Sequence, residues 1–249
     1  CALPIFENVS FTYPNGEEPV IKDVSFSGKK GEVIAFIGST GSGKSTLINL
    51  IPRFYDVTKG SIKIDGVDVR DYDLKYLRKK IGFIPQKTLL FTGSIANNIK
   101  FGKKDAEYKE VEDSARIAQA YEFISNKPNK FDEIITEGGS NVSGGQKQRL
   151  SIARAIVRKP DIYIFDDSFS ALDFKTDAIL RKELRSETKD AIVLIVAQRI
   201  GSIMDADKII VLNEGEVVGI GTHKELIKNC PIYHEIATSQ LTEEELANE

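Results

Sequence analysis

Two aspartates, Asp166 and Asp167, stand at the end of the apolar run IYIF in the stretch IYIFDDSFSALD. Four consecutive apolar residues read as a buried strand, so both carboxylates emerge at its carboxyl end, where open α/β sheets bind ligands. One acid in that place suits a divalent metal, and a second beside it suits a polarised water. The second acid here is the short one. Upstream, GSTGSGKST at 38–46 fits the spacing G-x-x-x-x-G-K-[ST] with Gly38, Gly43, Lys44 and Ser45, between a predicted strand and a predicted helix. Its glycines let the backbone N–H groups from Ser39 and Thr40 through Gly41 and Ser42 turn inward to cradle phosphate oxygens. The helix start adds its dipole, Lys44 neutralises β/γ charge and Ser45 ligates Mg²⁺. A dinucleotide fingerprint does not fit, because Gly41-x-Gly43 needs a third small residue where Thr46 stands. In this reading Asp166 is the Mg²⁺ acid, although either aspartate could instead cap the next helix.

A second feature of the same chemical kind lies at 141–156, NVSGGQKQRLSIARAI, a turn of small residues opening a basic amphipathic helix. Ser143, Gly144, Gly145 and Gln146 make it another helix start suited to phosphate. One nucleotide cannot use two such ends of the same chain without a special geometry. The pair therefore implies a composite site.

These residues need elements to hold them. Residues 5–28 alternate apolar and polar around YPNGEEP, which predicts an antiparallel hairpin region. EVIAFIG at 32–38 reads as a buried strand before the phosphate loop, with the helix KSTLINLI after it and Pro52 helping to end that helix. GSIKIDG at 60–66 is a short strand between glycines. From Thr92 to about Val157 the pattern is mostly helical, AEYKEVEDSARIAQAYEFIS being its clearest periodic stretch. Strands then return as DIYIFD, AIVLIVA, KIIVLN and EVVGIG, the last pair joined by a tight NEG turn. The expectation is an α/β core with an antiparallel β subdomain, built from 1–91 and 158–249, and an inserted α-helical subdomain over 92–157. The acidic tail LTEEELANE is expected to be a solvated helix end.

Bulk composition bounds the rest. The 249 residues are 41% hydrophobic and 29% charged, ordinary for a soluble domain with a full core. Net charge is −3, from 34 basic against 37 acidic residues, so no global field draws the protein to nucleic acid or anionic lipid. Cys1 and Cys230 make neither a disulfide framework nor a metal site, and His223 and His234 are too few for a zinc cluster. A reducing, cytoplasmic setting fits. AIVLIVA, the longest apolar run, is far short of the roughly 20 residues a bilayer span needs. The chain opens at Cys1 and its one methionine is Met204, so it is expected to be part of something longer.

Together these motifs resemble the nucleotide-binding domain of an ATP-binding cassette transporter, over essentially the whole chain, with a P-loop NTPase (RecA-like) core. The resemblance implies ATP and Mg²⁺ as ligands. It places adenine on Tyr13 of FTYP, and in IGFIPQ it gives Gln86 the sensing of Mg²⁺ and of the membrane domain. VSGGQ at 142–146 corresponds to the signature, and SALD at 170–173 to the loop crossing a dimer interface. FTGSIANNI with TEGGSNVSGGQ is most similar to exporter-type domains, where the segment around Glu137 lies near the coupling helices. Two departures stand out: the family has glutamate where Asp167 stands and histidine where Gln198 stands. Val142 for leucine is mild, and His223 reads as structural.

Aspartate keeps the charge but withdraws it by one methylene, and a displacement of about 1 Å at a reacting centre costs on the order of 10²-fold. Gln198 can hydrogen-bond a γ-phosphate but carries neither proton nor positive charge. Both changes spare binding and weaken turnover, as in the degenerate half of a heterodimeric exporter. The resemblance then implies a second, non-identical cassette as partner, a transmembrane domain preceding Cys1, no nucleic acid, and a place at the cytoplasmic face of the membrane. Two alternatives are a soluble cassette ATPase of DNA repair or translation, for which no coiled-coil insertion or tandem cassette is visible, and a non-catalytic nucleotide-binding module.

Overall fold

In the computed structural model, which describes residues 4–241, each predicted strand is present and further short ones appear. The amino-terminal hairpin is β1 (Ile5–Phe11) and β2 (Ile21–Ser27), paired antiparallel. The buried run before the phosphate loop is β3 (Val33–Ile37), followed by α1 (Lys44–Asn49). Next come β4 (Lys59–Ile64) and β5 (Val67–Asp68), which complete a four-stranded antiparallel sheet in the order β2-β1-β4-β5. After α2 (Leu74–Lys79) lies β6 (Ile81–Ile84), in the IGFIPQ segment, a strand of the central sheet that sequence reading did not assign.

The inserted block begins with β7 (Gly93–Ser94), α3 (Ile95–Lys100), α4 (Tyr108–Ile117) and α5 (Tyr121–Ser125). It continues through β8 (Ile134–Ile135), which pairs with β7, and α6 (Gly144–Ile156). The periodic stretch 106–125 is therefore two helices. The chain turns at Gln119, whose φ of 56° lies in the left-handed region and ends α4. The carboxyl-terminal part holds β9 (Ile162–Asp166), α7 (Phe174–Glu187), β10 (Ile192–Val196), β11 (Lys208–Asn213), β12 (Glu216–Gly221), α8 (His223–Asn229) and α9 (Pro231–Thr238). The tail 242–249 lies outside the described residues.

The central sheet has the order β12-β11-β3-β10-β9-β6, parallel except for the β11–β12 hairpin. Apart from the half-exposed edge strand β12, its strands are nearly continuous in apolar residues because both faces are covered. Alternate residues serve two separate cores. Ile34, Phe36, Ile164, Leu194 and Val196 join α1 and the antiparallel sheet, while Ala35, Ile37, Phe165, Val193 and Ile195 join the helical block and α7 to α9. The helical subdomain and the β subdomain thus sit on opposite faces, and the site forms along the edge between them.

Candidate nucleotide site

Four neighbouring parallel strands, β3, β10, β9 and β6, end at one edge, and each carries a predicted residue just past its tip. Register pairs Val196 with both Phe36 and Asp166, and Ile84 with Phe165. Gly38 and Gln198 therefore lie two residues beyond one row across the sheet, and Gln86 two beyond its neighbour. Asp166 lies in the first of these rows and Asp167 directly follows it. Segments separated by more than a hundred residues meet here because parallel strands with crossovers align their carboxyl ends.

The phosphate loop owes its path to glycine at two positions. At Gly38 a Cβ would fall 2.0 Å from the Leu212 carbonyl oxygen, and at Gly43, with φ 98°, it would fall 2.7 Å from Ile21 Cδ1. Gly41, with φ 84°, faces open space. Lys44 folds back over the loop, donating to the carbonyls of Gly38 at 2.9 Å and Ser39 at 2.7 Å and to Ser42 Oγ at 3.2 Å. Burial lowers its pKa, opposed by the nearby charges of Asp167 and Asp166. The loop leans across the end of β10, and Ser45 Oγ donates to Asp166 Oδ1 at 2.8 Å. Asp166 is itself buried, and that desolvation raises its pKa; the Ser45 bond pulls the other way. A hydroxyl and a desolvated carboxylate side by side, with a lysine nearby, is an oxygen donor set suited to a hard divalent cation beside phosphate.

Asp167 takes a different path from Asp166. Its φ is 48°, its N–H donates to Val196 O at 3.0 Å, and Ser170 Oγ donates to its carbonyl at 2.8 Å. This turn brings Oδ2 to two amides: Gln86 Nε2 donates at 2.9 Å and Gln198 Nε2 at 2.7 Å. The buried Ser168 holds the bases of this triangle together by donating to the Ile84 carbonyl at 2.9 Å. Neither Asp166 nor Asp167 caps the following helix. That task falls to Asp173, which accepts from Thr176 N at 2.9 Å at the start of α7.

Tyr13 connects to the same assembly through its hydroxyl, 2.9 Å from Thr46 Oγ1, and its ring stands edge-on to Phe11 and Tyr55. The signature segment is held apart from these groups. Ser143 and Gln146 form a reciprocal capping box at the start of α6, Gln146 N donating to Ser143 Oγ at 3.3 Å and Ser143 N to Gln146 Oε1 at 3.1 Å. Ser143 and Gly144 are exposed, and Gly145 packs near the carbonyl of Ala171 in SALD. Farther along α6, Gln148 meets Thr88, and Arg154 donates to the Leu89 carbonyl at 2.9 Å, so the signature helix grips the loop that carries Gln86. Sequence reading missed that link, and it missed Ser168 and β6. The short apolar run IGFI before Pro85 was the available signal. His223 packs inside, its Nδ1 2.6 Å from Tyr233 Oη.

The family model described as ABC transporter matches residues 21–170. The chain belongs to the ABC transporter family. This ABC domain is 45% identical over 234 residues to an uncharacterized ABC transporter ATP-binding protein of Mycobacterium bovis, covering 93% of this chain and 40% of that protein. It is also 45% identical over 234 residues to a Staphylococcus aureus protein named for multidrug export as an ATP-binding/permease protein, covering 94% and 40%. Among solved structures, a bacterial Atm1-family ABC exporter with ATP bound superposes with a TM-score of 0.93 at 35% identity, over 97% of this chain and 42% of that one. The ABC domain therefore spans about 40% of the length of the curated relatives it matches. Its α/β core, antiparallel β subdomain and helical subdomain are those of the ABC ATPase fold. Among the described residues, no helix is long and apolar enough to cross a membrane.

Proposed function

We propose that this domain binds ATP with Mg²⁺ at a site of weak turnover and lends its signature to a non-identical partner cassette, powering export across a membrane. The observation that carries the reading is the Asp167 carboxylate, which shares one oxygen between the Gln86 and Gln198 amides. A water-polarising base works best when its lone pairs are free and its reach is sufficient. Here the acid is short and drawn toward two amides that can neither accept nor relay its proton.

Ser45 and Asp166 would hold Mg²⁺, which would supply charge neutralisation to the nucleotide phosphates. Lys44 exchanges its bonds to Gly38, Ser39 and Ser42 for phosphate oxygens, and the loop N–H groups orient them. Tyr13, tethered to Thr46, offers its ring to the base. Gln86 and Gln198 fix Asp167 and present amides toward the terminal phosphate. Each of these roles preserves binding while leaving proton abstraction poorly served.

Coupling to a membrane partner draws support from an exposed apolar groove. Leu89, Phe91 and Phe101 are 71%, 48% and 59% exposed, and Arg154 stands 5.3 and 5.7 Å from the two rings. The S. aureus relative joins an ATP-binding part and a permease under one name, and more than half its length lies outside the match. A helix of that permease is the occupant this groove fits, and it would report to Gln86 through residues 86–91. Mixing the domain with its partner cassette tests the whole reading. Hydrolysis should rise well above either alone, and an equal rate from this domain by itself would sink the heterodimer assignment.

A further inference from the structure

Among the described residues, the carboxyl-terminal segment is hydrogen-bonded to the loop beyond β10 through one exposed side chain. Gln240 Nε2 donates to the carbonyl of Gln198 at 2.9 Å, and Gln240 Oε1 accepts from the N–H of Ile200 at 2.9 Å. One amide thus occupies a donor and an acceptor on either side of Arg199, as a neighbouring strand would. We propose that Gln240 is a positioning residue for Gln198, keying the carboxyl-terminal helices to the loop beyond β10; this rests on the reading of Asp167 and Gln198 above.

Three observations support it. First, Gln240 is exposed and is joined to a loop about forty residues earlier, so apolar packing does not place its side chain. Second, its own base is anchored: its N–H donates to Ala237 O at 3.0 Å, and Ala237, Tyr233 and Cys230 lie in the core. Third, the other ties of this loop act at neighbouring residues. Ser202 Oγ donates to Asp177 of α7 at 2.9 Å, and Arg199 makes a long 3.3 Å bond to the Ser170 carbonyl. The Gln198 carbonyl and the Ile200 N–H fall to Gln240. A continuous path of bonds therefore runs from α9 through Gln240 and the Gln198 backbone to the Gln198 amide on Asp167.

Glutamine is the side chain with the right length and both functions at its end. Asparagine is one methylene short, and glutamate sets an acceptor against the Gln198 carbonyl. Because Gln240 is exposed, its replacement should leave global stability almost unchanged. In the 249-residue chain, hydrogen exchange of Ile200 N–H should speed up in Gln240→Ala and stay slow in Gln240→Glu, which keeps the acceptor. In the mixed complex, with hydrolysis at the partner's site disabled, single-turnover hydrolysis should fall about threefold or more in both variants, the worth of one net hydrogen bond, at unchanged ATP affinity. Unaltered Ile200 exchange in Gln240→Ala, unaltered turnover in Gln240→Glu, or parallel loss of melting temperature, affinity and rate would each overturn the assignment. Lys44→Ala serves as the control: if it leaves ATP affinity intact, the nucleotide-site reading fails, while the exchange result still decides the clamp.

Discussion

Gln198 Nε2 lies 2.7 Å from Oδ2 of Asp167, the same oxygen that Gln86 reaches from the other side. The short acid and the glutamine in place of histidine are thus one feature, since each is the other's partner. Extending the acid by one methylene would carry its carboxylate out of this grip, and a histidine at position 198 would add a group able to bear charge. Asp167→Glu with Gln198→His should raise single-turnover hydrolysis at this site by at least about tenfold, a modest part of the 10² to 10⁴-fold that acid–base positioning supplies. Each single change should do less than its share, because both act on one transition state. A double variant as slow as the parent would overturn the role proposed for these two residues.

Lys44 is bound only to groups of its own loop in the described structure, so its removal should loosen the loop and delete the counter-charge proposed for phosphate. Lys44→Ala should weaken ATP–Mg²⁺ binding by at least about tenfold, the cost of losing a charge-assisted contact. Titration calorimetry with equal affinity for both proteins would remove Lys44 from the site.

Asp166 is held at a cost to folding. Burial raises its folded pKa above the ordinary 3.8, so the folded state binds the proton more tightly than the unfolded chain. Stability from this group is therefore greatest below pH 3.8 and declines as pH rises through the raised folded pKa. Asp166→Asn removes the buried charge while its amide oxygen can still accept from Ser45. It should raise the melting temperature at neutral pH, the gain shrinking as pH falls toward 3.8, and it should abolish the Mg²⁺ dependence of ATP binding. A lower melting temperature for Asp166→Asn at neutral pH would contradict this account.

Ser143 caps α6 whether or not it meets a phosphate, and Ser143→Ala should cost about 1 kcal/mol for the cap alone. Ser143→Asp separates the roles, since aspartate caps equally well but repels phosphate. In the mixed complex, Ser143→Asp should keep the melting temperature and lose most hydrolysis at the partner's site. Full activity would end the composite-site argument.

Much of this was legible in the linear sequence. GSTGSGKST, IYIFDD and VSGGQ are local chemistry: each needs only consecutive residues and a flanking strand or helix, and each lies where that predicts. β3, β9 and β10 followed from apolar runs, because burial of both sheet faces writes itself into composition, and the hairpin followed from alternation around turn residues. The break at Gln119 did not, since 106–125 keeps one apolar rhythm through the turn and a single positive φ decides it. Nor did β6, whose four residues are too short for periodicity to assign; pairing with β9 makes them a strand.

The site itself was decided by the tertiary structure. Nothing in the spacing of Gln86, Asp167 and Gln198 says that two amides converge on one oxygen. That follows from strand order, which sets β10 and β6 on either side of β9, and from the left-handed turn at Asp167. Gln240 was equally invisible, a polar residue in a polar stretch until α9 packs and brings it to Ile200. Residue types determine which chemistry is possible, because charge, length and hydrogen-bonding capacity belong to the side chain. Which groups spend that capacity on one another depends on distances of about 3 Å, and only the packed sheet and its flanking helices set those.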